Sequence, residues 1–277
     1  MSYRSFAYSE KGARHEKDNM PCQDSAMEYM DMNLPAVIVA AADGHGSEEC
    51  FRSGRGAHFA VECAIECIKK FICTIRTIRE NNISASFIAT ESIESKQEKS
   101  QEQKYLMQLS NSIITDWNKK VEEDYANEPF GLPEYIELAY GTTLMAAAIT
   151  DDYWFGLQIG DGKCVVLSDD GIFSQPIPAD EKCFMNITTS MCDCDASHEF
   201  RYYFGTDIPS AIFIGTDGVD NSLKDDVQLY ELYRRITGDF AAKGFDEESA
   251  EIKRFLPMLT KKGSGDDISI AGIIKIL

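Results

Sequence analysis

The chain has 277 residues, and an apolar fraction of 44% is enough to bury a sizeable core in one domain spanning 1–277. A formal charge of −19 and a pI near 4.6 exclude nucleic acid and anionic membrane surfaces as partners, since both would repel the chain. Nine cysteines, an odd number without regular spacing, exclude a disulfide framework. The opening "MSYRSFAYSEKG" has no apolar stretch of the kind a secretion signal carries. No apolar run approaches the roughly 20 residues of a membrane span, so the expected location is the reducing cytoplasm.

In chain order, "DSAMEYM" (Asp24–Met30) reads as a short half-buried strand. "PAVIVAAAD" (Pro35–Asp43) is a continuous apolar run and reads as a central strand. From Gly56 to Ile78, Phe59, Ala60, Cys63, Ala64, Cys67, Ile68, Phe71, Ile72 and Ile75 recur at helical spacing. The interval Glu80–Gln103 is rich in Ser, Glu and Gln and reads as a mobile connection. Leu106, Leu109, Ile113, Trp117 and Val121 then mark a second amphipathic helix. Strands resume at Gly141–Thr150 and continue through "DYWFGLQIGDGKCVVLSDDGIFSQPI" as a meander with Asp-Gly turns. "SAIFIGTDGVDNS" (Ser210–Ser222) is another apolar strand ending in Asp-Gly, followed by helices over about Leu223–Phe240 and Asp246–Leu259. "GSGDDISIAGIIKIL" closes the chain with a strand after a Gly-rich loop. Hairpin-like strands outweigh strand-helix-strand alternation, which predicts an antiparallel α+β fold.

Four apolar strands meet an acid beside glycine: Asp43-Gly44, Gly160-Asp161-Gly162, Asp217-Gly218 and Gly265-Asp266. One Asp-Gly is an ordinary turn signal. Four carboxylates at the ends of buried strands would repel one another if they converged, unless cations sat between them. Hard oxygen donors of this kind select Mg²⁺ or Mn²⁺. His45, two residues after Asp43 and flanked by glycines, is a candidate proton donor. His15, His58 and His198 lack such flanks, and His58 is expected to pack within the first helix. A thiol phosphatase is disfavoured: Arg55 follows Cys50 by five residues where six are needed, and Cys73 to Arg79 lies inside a helical pattern.

In order, "CQDSA" (Cys22–Ala26), "VAAADGHG" (Val39–Gly46), "GTTLMAA" (Gly141–Ala147), "IGDGKCVVL" (Ile159–Leu167), "IGTDGVDN" (Ile214–Asn221) and "GSGDDISI" (Gly263–Ile270) resemble the type 2C metal-dependent protein serine/threonine phosphatases. The "PCQDS" variant is most similar to a bacterial branch of that family. The resemblance implies a four-layer α-β-β-α sandwich of two packed antiparallel sheets flanked by helices. It implies two ions, Mg²⁺ or Mn²⁺, with Asp43 bridging them and the Gly44 carbonyl on one. Asp217 and Asp266 would hold the other, and Asp161 would fall near a third, weaker position. Asp24 matches the acid that closes the N-terminal motif and counts among the metal-side residues. Thr142 and Thr143 match a structural pair beside the site. The implied reaction is hydrolysis of phosphoserine or phosphothreonine in a protein substrate by a water that two metals activate, with His45 as general acid. Relatives carry an Arg upstream of the N-terminal acidic pair to grip the phosphate, whereas four residues before Gln23 this chain has Asn19. Arg14 is the candidate for that grip, with His15 beside it. The alternative implied by the missing Arg is a non-catalytic or regulatory module on the same fold.

Overall fold

The computed structural model describes residues 3–31, 33–80, 101–131, 135–183 and 187–276. Its N-terminal part contains β1 (Tyr3–Glu10), α1 (Ala13–Asp18), β2 (Ser25–Asp31), β3 (Leu34–Ala42), α2 (Ser53–Glu80) and α3 (Gln101–Asn127). There follow β4 (Leu144–Thr150), β5 (Trp154–Ile159), β6 (Lys163–Leu167), β7 (Phe173–Ser174), α4 (Ala196–Glu199) and β8 (Arg201–Gly205). The C-terminal part is β9 (Ala211–Gly215), α5 (Asp217–Asp220), α6 (Asp226–Lys243), α7 (Phe245–Lys262) and β10 (Ile268–Lys275).

The strands form two five-stranded sheets, ordered β1-β10-β9-β6-β7 and β2-β3-β4-β5-β8. Every pairing is antiparallel. The expected α+β sandwich is therefore the observed one, and side-chain alternation explains why its strands read as unbroken apolar runs. On β3, Val37, Val39 and Ala41 pack between the sheets against Ile212, Ile214, Ala271 and Ile273. Leu34, Ala36, Ile38, Ala40 and Ala42 pack on the other face, against α2 and α3. With both faces covered, no position is free to be polar. The second outer layer is α6 and α7, whose Tyr233, Ile236, Phe240, Ile252 and Leu256 cover Phe213 and Ile270. Each fully buried Val or Ile contributes roughly 1.5–3 kcal/mol, so the interior is held mainly by apolar burial.

Helix boundaries follow local chemistry. The Asp225 side chain accepts from the Gln228 backbone N–H at 3.0 Å and starts α6. Gly244, at φ 92°, ends it. The helical stripe expected on α3 is buried at Leu106, Leu109, Ile113, Trp117 and Val121. Of the stretch expected to be a mobile connection, Glu80 ends α2, Gln101–Gln103 begin α3, and residues 81–100 lie outside the described residues. Two further readings change. Asp217 opens the one-turn helix α5 instead of a plain turn. His58 does not pack: its side chain is 55% exposed and lies 3.6 Å from Glu62. No helix among the described residues is long and apolar enough to cross a membrane.

Candidate active site

Strand register brings the acidic motifs to one edge of the sandwich. β3 ends at Ala42 opposite Ser25 of β2, and Ala41 pairs with Met145 of β4. Leu144 pairs in turn with Ile159 of β5. In the other sheet, Gly215 of β9 pairs with both Ile270 of β10 and Lys163 of β6. These are the strand ends that carry the motifs. A cavity of about 840 Å³ opens there, lined by Asp43, Gly44, His45, Asp161, Asp217 and Asp266, with Arg14, His15, Gln23 and Thr143.

The backbone around Asp43 is held from three directions. Its N–H donates to Thr143 Oγ1 at 3.0 Å, and its carbonyl accepts from the Thr143 N–H and Thr142 Oγ1, each at 2.8 Å. The threonine pair thus acts as structural support. Two glycines permit close approach. A Cβ on Gly44 would lie 2.5 Å from the Gln23 carbonyl oxygen, and one on Gly218 would lie 1.9 Å from that of Asp267. A side chain at either position would push the Asp43 or Asp217 loop away from its neighbour.

Six carboxylates line the cavity (Asp18, Asp43, Asp161, Asp217, Asp266 and Asp267) against one guanidinium, that of Arg14. Among these, Asp43 and Asp217 resist ionisation. Burial, then the charges of Asp24 and Asp217, hold the Asp43 pKa well above its ordinary value. Burial likewise lifts Asp217 to about 6. Asp24 does not line the cavity but sits behind Asp43, where burial raises its pKa to about 8. Its Oδ2 accepts from Thr216 Oγ1 at 2.8 Å, while Oδ1 is sealed from solvent without a partner. Gln23 Oε1 is also sealed and unpartnered, its Nε2 donating to Ser53 Oγ at 2.9 Å. Carboxylate oxygens facing one cavity, with unmet acceptors beside it, fit hard divalent cations.

Asn19, where relatives place the phosphate-gripping Arg, ends α1 in the left-handed region at φ 55°, a conformation Asn tolerates better than Arg. The preceding helical turn instead carries Arg14 into the cavity. There the Arg14 N–H donates to the Gly265 carbonyl at 2.9 Å, and its guanidinium donates to the Ser264 carbonyl. The neighbouring His15 has Nδ1 2.9 Å from Asp267 Oδ1, close enough for an ion pair but not aligned as a hydrogen bond. Asp267 also accepts the N–H groups of Gly12 at 2.6 Å and Gln23 at 2.5 Å. It is buried and ties α1, the N-terminal motif and the last strand together. Sequence reasoning passed over it, and the only signal was that "GDD" holds two acids instead of one.

His45 donates its backbone N–H to the Gly141 carbonyl at 3.0 Å, and its Nε2 lies 2.7 Å from Ser190 Oγ. Burial lowers its pKa, while the charges of Asp161 and Asp193 act in the opposite direction. Ser190, 145 residues away in sequence, carried no signal at all. Cys192 and Cys194 of the same loop and His198 of α4 do not gather into a metal-ligand group among the described residues. All nine cysteines are free.

Residues 11–257 match the family model described as protein phosphatase 2C, and the chain belongs to that family. No curated protein sequence matches it. Among solved structures it is similar to the catalytic domain of the serine/threonine protein phosphatase PstP in complex with two manganese ions. That match has 15% identity and a TM-score of 0.55, covering 98% of this chain and 97% of that one. PppA, a key regulatory component of T6SS in Pseudomonas aeruginosa, matches at 14% identity and a TM-score of 0.59, covering 100% and 99%. The Mycobacterium tuberculosis phosphatase PstP/Ppp matches at 14% and 0.56, covering 99% of each chain. At these identities the likeness is one of fold.

Proposed function

We propose that this protein is a Mg²⁺- or Mn²⁺-dependent phosphatase of phosphoserine and phosphothreonine in protein substrates. The observation that carries the reading is the meeting of Asp43, Asp161, Asp217 and Asp266 in one cavity with His45 and Arg14. Asp43 with the Gly44 carbonyl, together with Asp217 and Asp266, would hold two ions, and Asp161 would serve a third. Asp24, buried next to Asp43, would count among the acids on the metal side. When bound, such ions neutralise charge on the phosphoryl oxygens and lower the pKa of a water molecule.

The protein's own groups supply the rest. Arg14 binds and orients the phosphate, since a guanidinium can retain its bond to Ser264 and still offer further N–H donors. As the oxygen of water bonds to phosphorus, the bond from phosphorus to the serine or threonine oxygen breaks. His45 gives its proton to that departing oxygen, which would otherwise leave as a poor alkoxide. The products are the free hydroxyl side chain and inorganic phosphate.

The test is hydrolysis of a phosphothreonine peptide in Mn²⁺, with the Asp43→Asn variant alongside. The expected loss in kcat is on the order of a thousandfold, that of removing a principal source of charge stabilisation. Full activity in EDTA, or in the variant, overturns the metal-dependent reading. Absence of turnover with every divalent cation, in folded protein that still binds phosphopeptide, assigns the chain to the regulatory alternative.

A further inference from the structure

The hydrogen bonds around Ser190 bear on which face of His45 is held and which is free. Ser190 is buried, and its Oγ has four polar neighbours. His45 Nε2 lies at 2.7 Å, the Thr142 carbonyl oxygen at 3.2 Å, Cys192 Sγ at 3.2 Å and the Cys192 N–H at 3.4 Å. A hydroxyl has one proton to give and two lone pairs to accept with. A carbonyl oxygen can only accept, so a Ser190 proton turned toward Thr142 makes a hydrogen bond there. If it were turned toward His45 instead, two oxygen lone pairs would face each other at 3.2 Å. With the Ser190 proton turned to Thr142, His45 is the donor and carries a proton on Nε2. The other ring nitrogen, Nδ1, makes no hydrogen bond among the described residues and is not sealed from solvent. His45 itself lines the cavity.

We infer that Ser190 is a positioning residue, fixing His45 with Nε2–H toward Ser190 and Nδ1 toward the cavity as the nitrogen that serves the leaving oxygen. This rests on the reading of His45 as proton donor and adds to it the atom and the restraint. Transfer from Nδ1 leaves the ring neutral with its proton still on Nε2, so the bond to Ser190 survives the step. Ser190 is held in turn: its N–H donates to Asp193 Oδ2 at 2.8 Å, and the next residue, Met191, donates its N–H to the Thr142 carbonyl at 2.8 Å. The hydroxyl is thereby fixed against the strand entry that also clamps Asp43.

The test uses two substrates that differ in their need for a proton. A phosphothreonine peptide releases an alkoxide, whereas p-nitrophenyl phosphate releases a stable phenolate. Both are assayed in the full-length, Mn²⁺-loaded protein. Ser190→Ala is expected to lower kcat for the peptide about tenfold more than for p-nitrophenyl phosphate, a fraction of a full general-acid contribution. In a His45→Gln background the same change is expected to have no further effect. A ¹⁵N spectrum of the metal-free protein is expected to show the neutral His45 ring protonated on Nε2, and a mixed population in Ser190→Ala. Equal losses on both substrates, an additive effect in the His45→Gln background, or a proton on Nδ1 in the neutral wild-type ring each overturn the assignment. Failure of the underlying reading looks different: His45→Gln would then slow both substrates alike while Ser190→Ala left the ratio untouched.

Discussion

Two acidic clusters in this molecule meet opposite fates. On α6 and α7, Asp239, Glu248 and Glu251 bring oxygens within 4.8 Å of one another. Lys243 sits among them, with its Nζ 3.1 Å from Asp239, 3.4 Å from Glu248 and 2.6 Å from Glu251. That ammonium offsets part of the cluster's charge, and the half-buried Glu251 is held below its ordinary pKa chiefly by its hydrogen bond to Lys243. At the cavity, no three carboxylates come within the same 4.8 Å. Their only lining guanidinium among the described residues already bonds Ser264. The pKa values of Asp24, Asp43 and Asp217 rise, whereas in the Lys243 cluster that of Glu251 falls and burial raises only that of Glu248. A cluster that carries its own cation is a piece of architecture, whereas one that lacks it is prepared for charge from outside.

The comparison can be broken most forcefully through pH. Raised carboxyl pKa values contribute stability that is whole below the unfolded value near 3.8 and is lost as pH rises toward the folded values of about 6 for Asp217 and about 8 for Asp24. In EDTA, Asp24→Asn should therefore gain in Tm over the wild type by an amount that grows from pH 5 to pH 8. Mn²⁺ should shrink the gain, because cations offset the same repulsion. A difference independent of pH would mean that the buried acids are not strained. Next in size is Arg14→Ala, expected to raise KM for a phosphothreonine peptide about tenfold, the worth of a charge-assisted hydrogen bond, with a smaller effect on kcat. An unchanged KM would remove Arg14 from phosphate binding. The smallest effect is expected at the Lys243 cluster. Lys243→Met should lower Tm slightly in calorimetry and leave kcat and KM unaltered, and any change in activity would mean the two clusters communicate.

Much of the fold was legible because it rests on local periodicity. The helical stripe of Leu106, Leu109, Ile113, Trp117 and Val121 and the apolar run into Asp43 could each be read without knowing any partner. β8 could not. It pairs only with β5, at one end of its sheet, and all five of its residues are half-buried, so it lacks the alternation that marks a strand with one dry face. His58 misled for a related reason: helical spacing identifies an apolar face, but His58 stands beside that face, next to Glu62.

The sequence by itself determined the parts. Asp43, Asp161, Asp217 and Asp266 stand beside glycines where apolar strands end or begin, and that pattern is a property of a few adjacent residues, even though Asp217 opens a helix and not a turn. Only the tertiary structure decided that these ends lie together, since that depends on antiparallel register across both sheets. It alone placed Arg14 in the cavity by way of a helical turn capped at Asn19, and His15 against Asp267, residues far apart in the chain. It alone set Ser190 on His45. A hydrogen bond across 145 residues leaves no periodic trace, because its geometry is made by the packing of everything between.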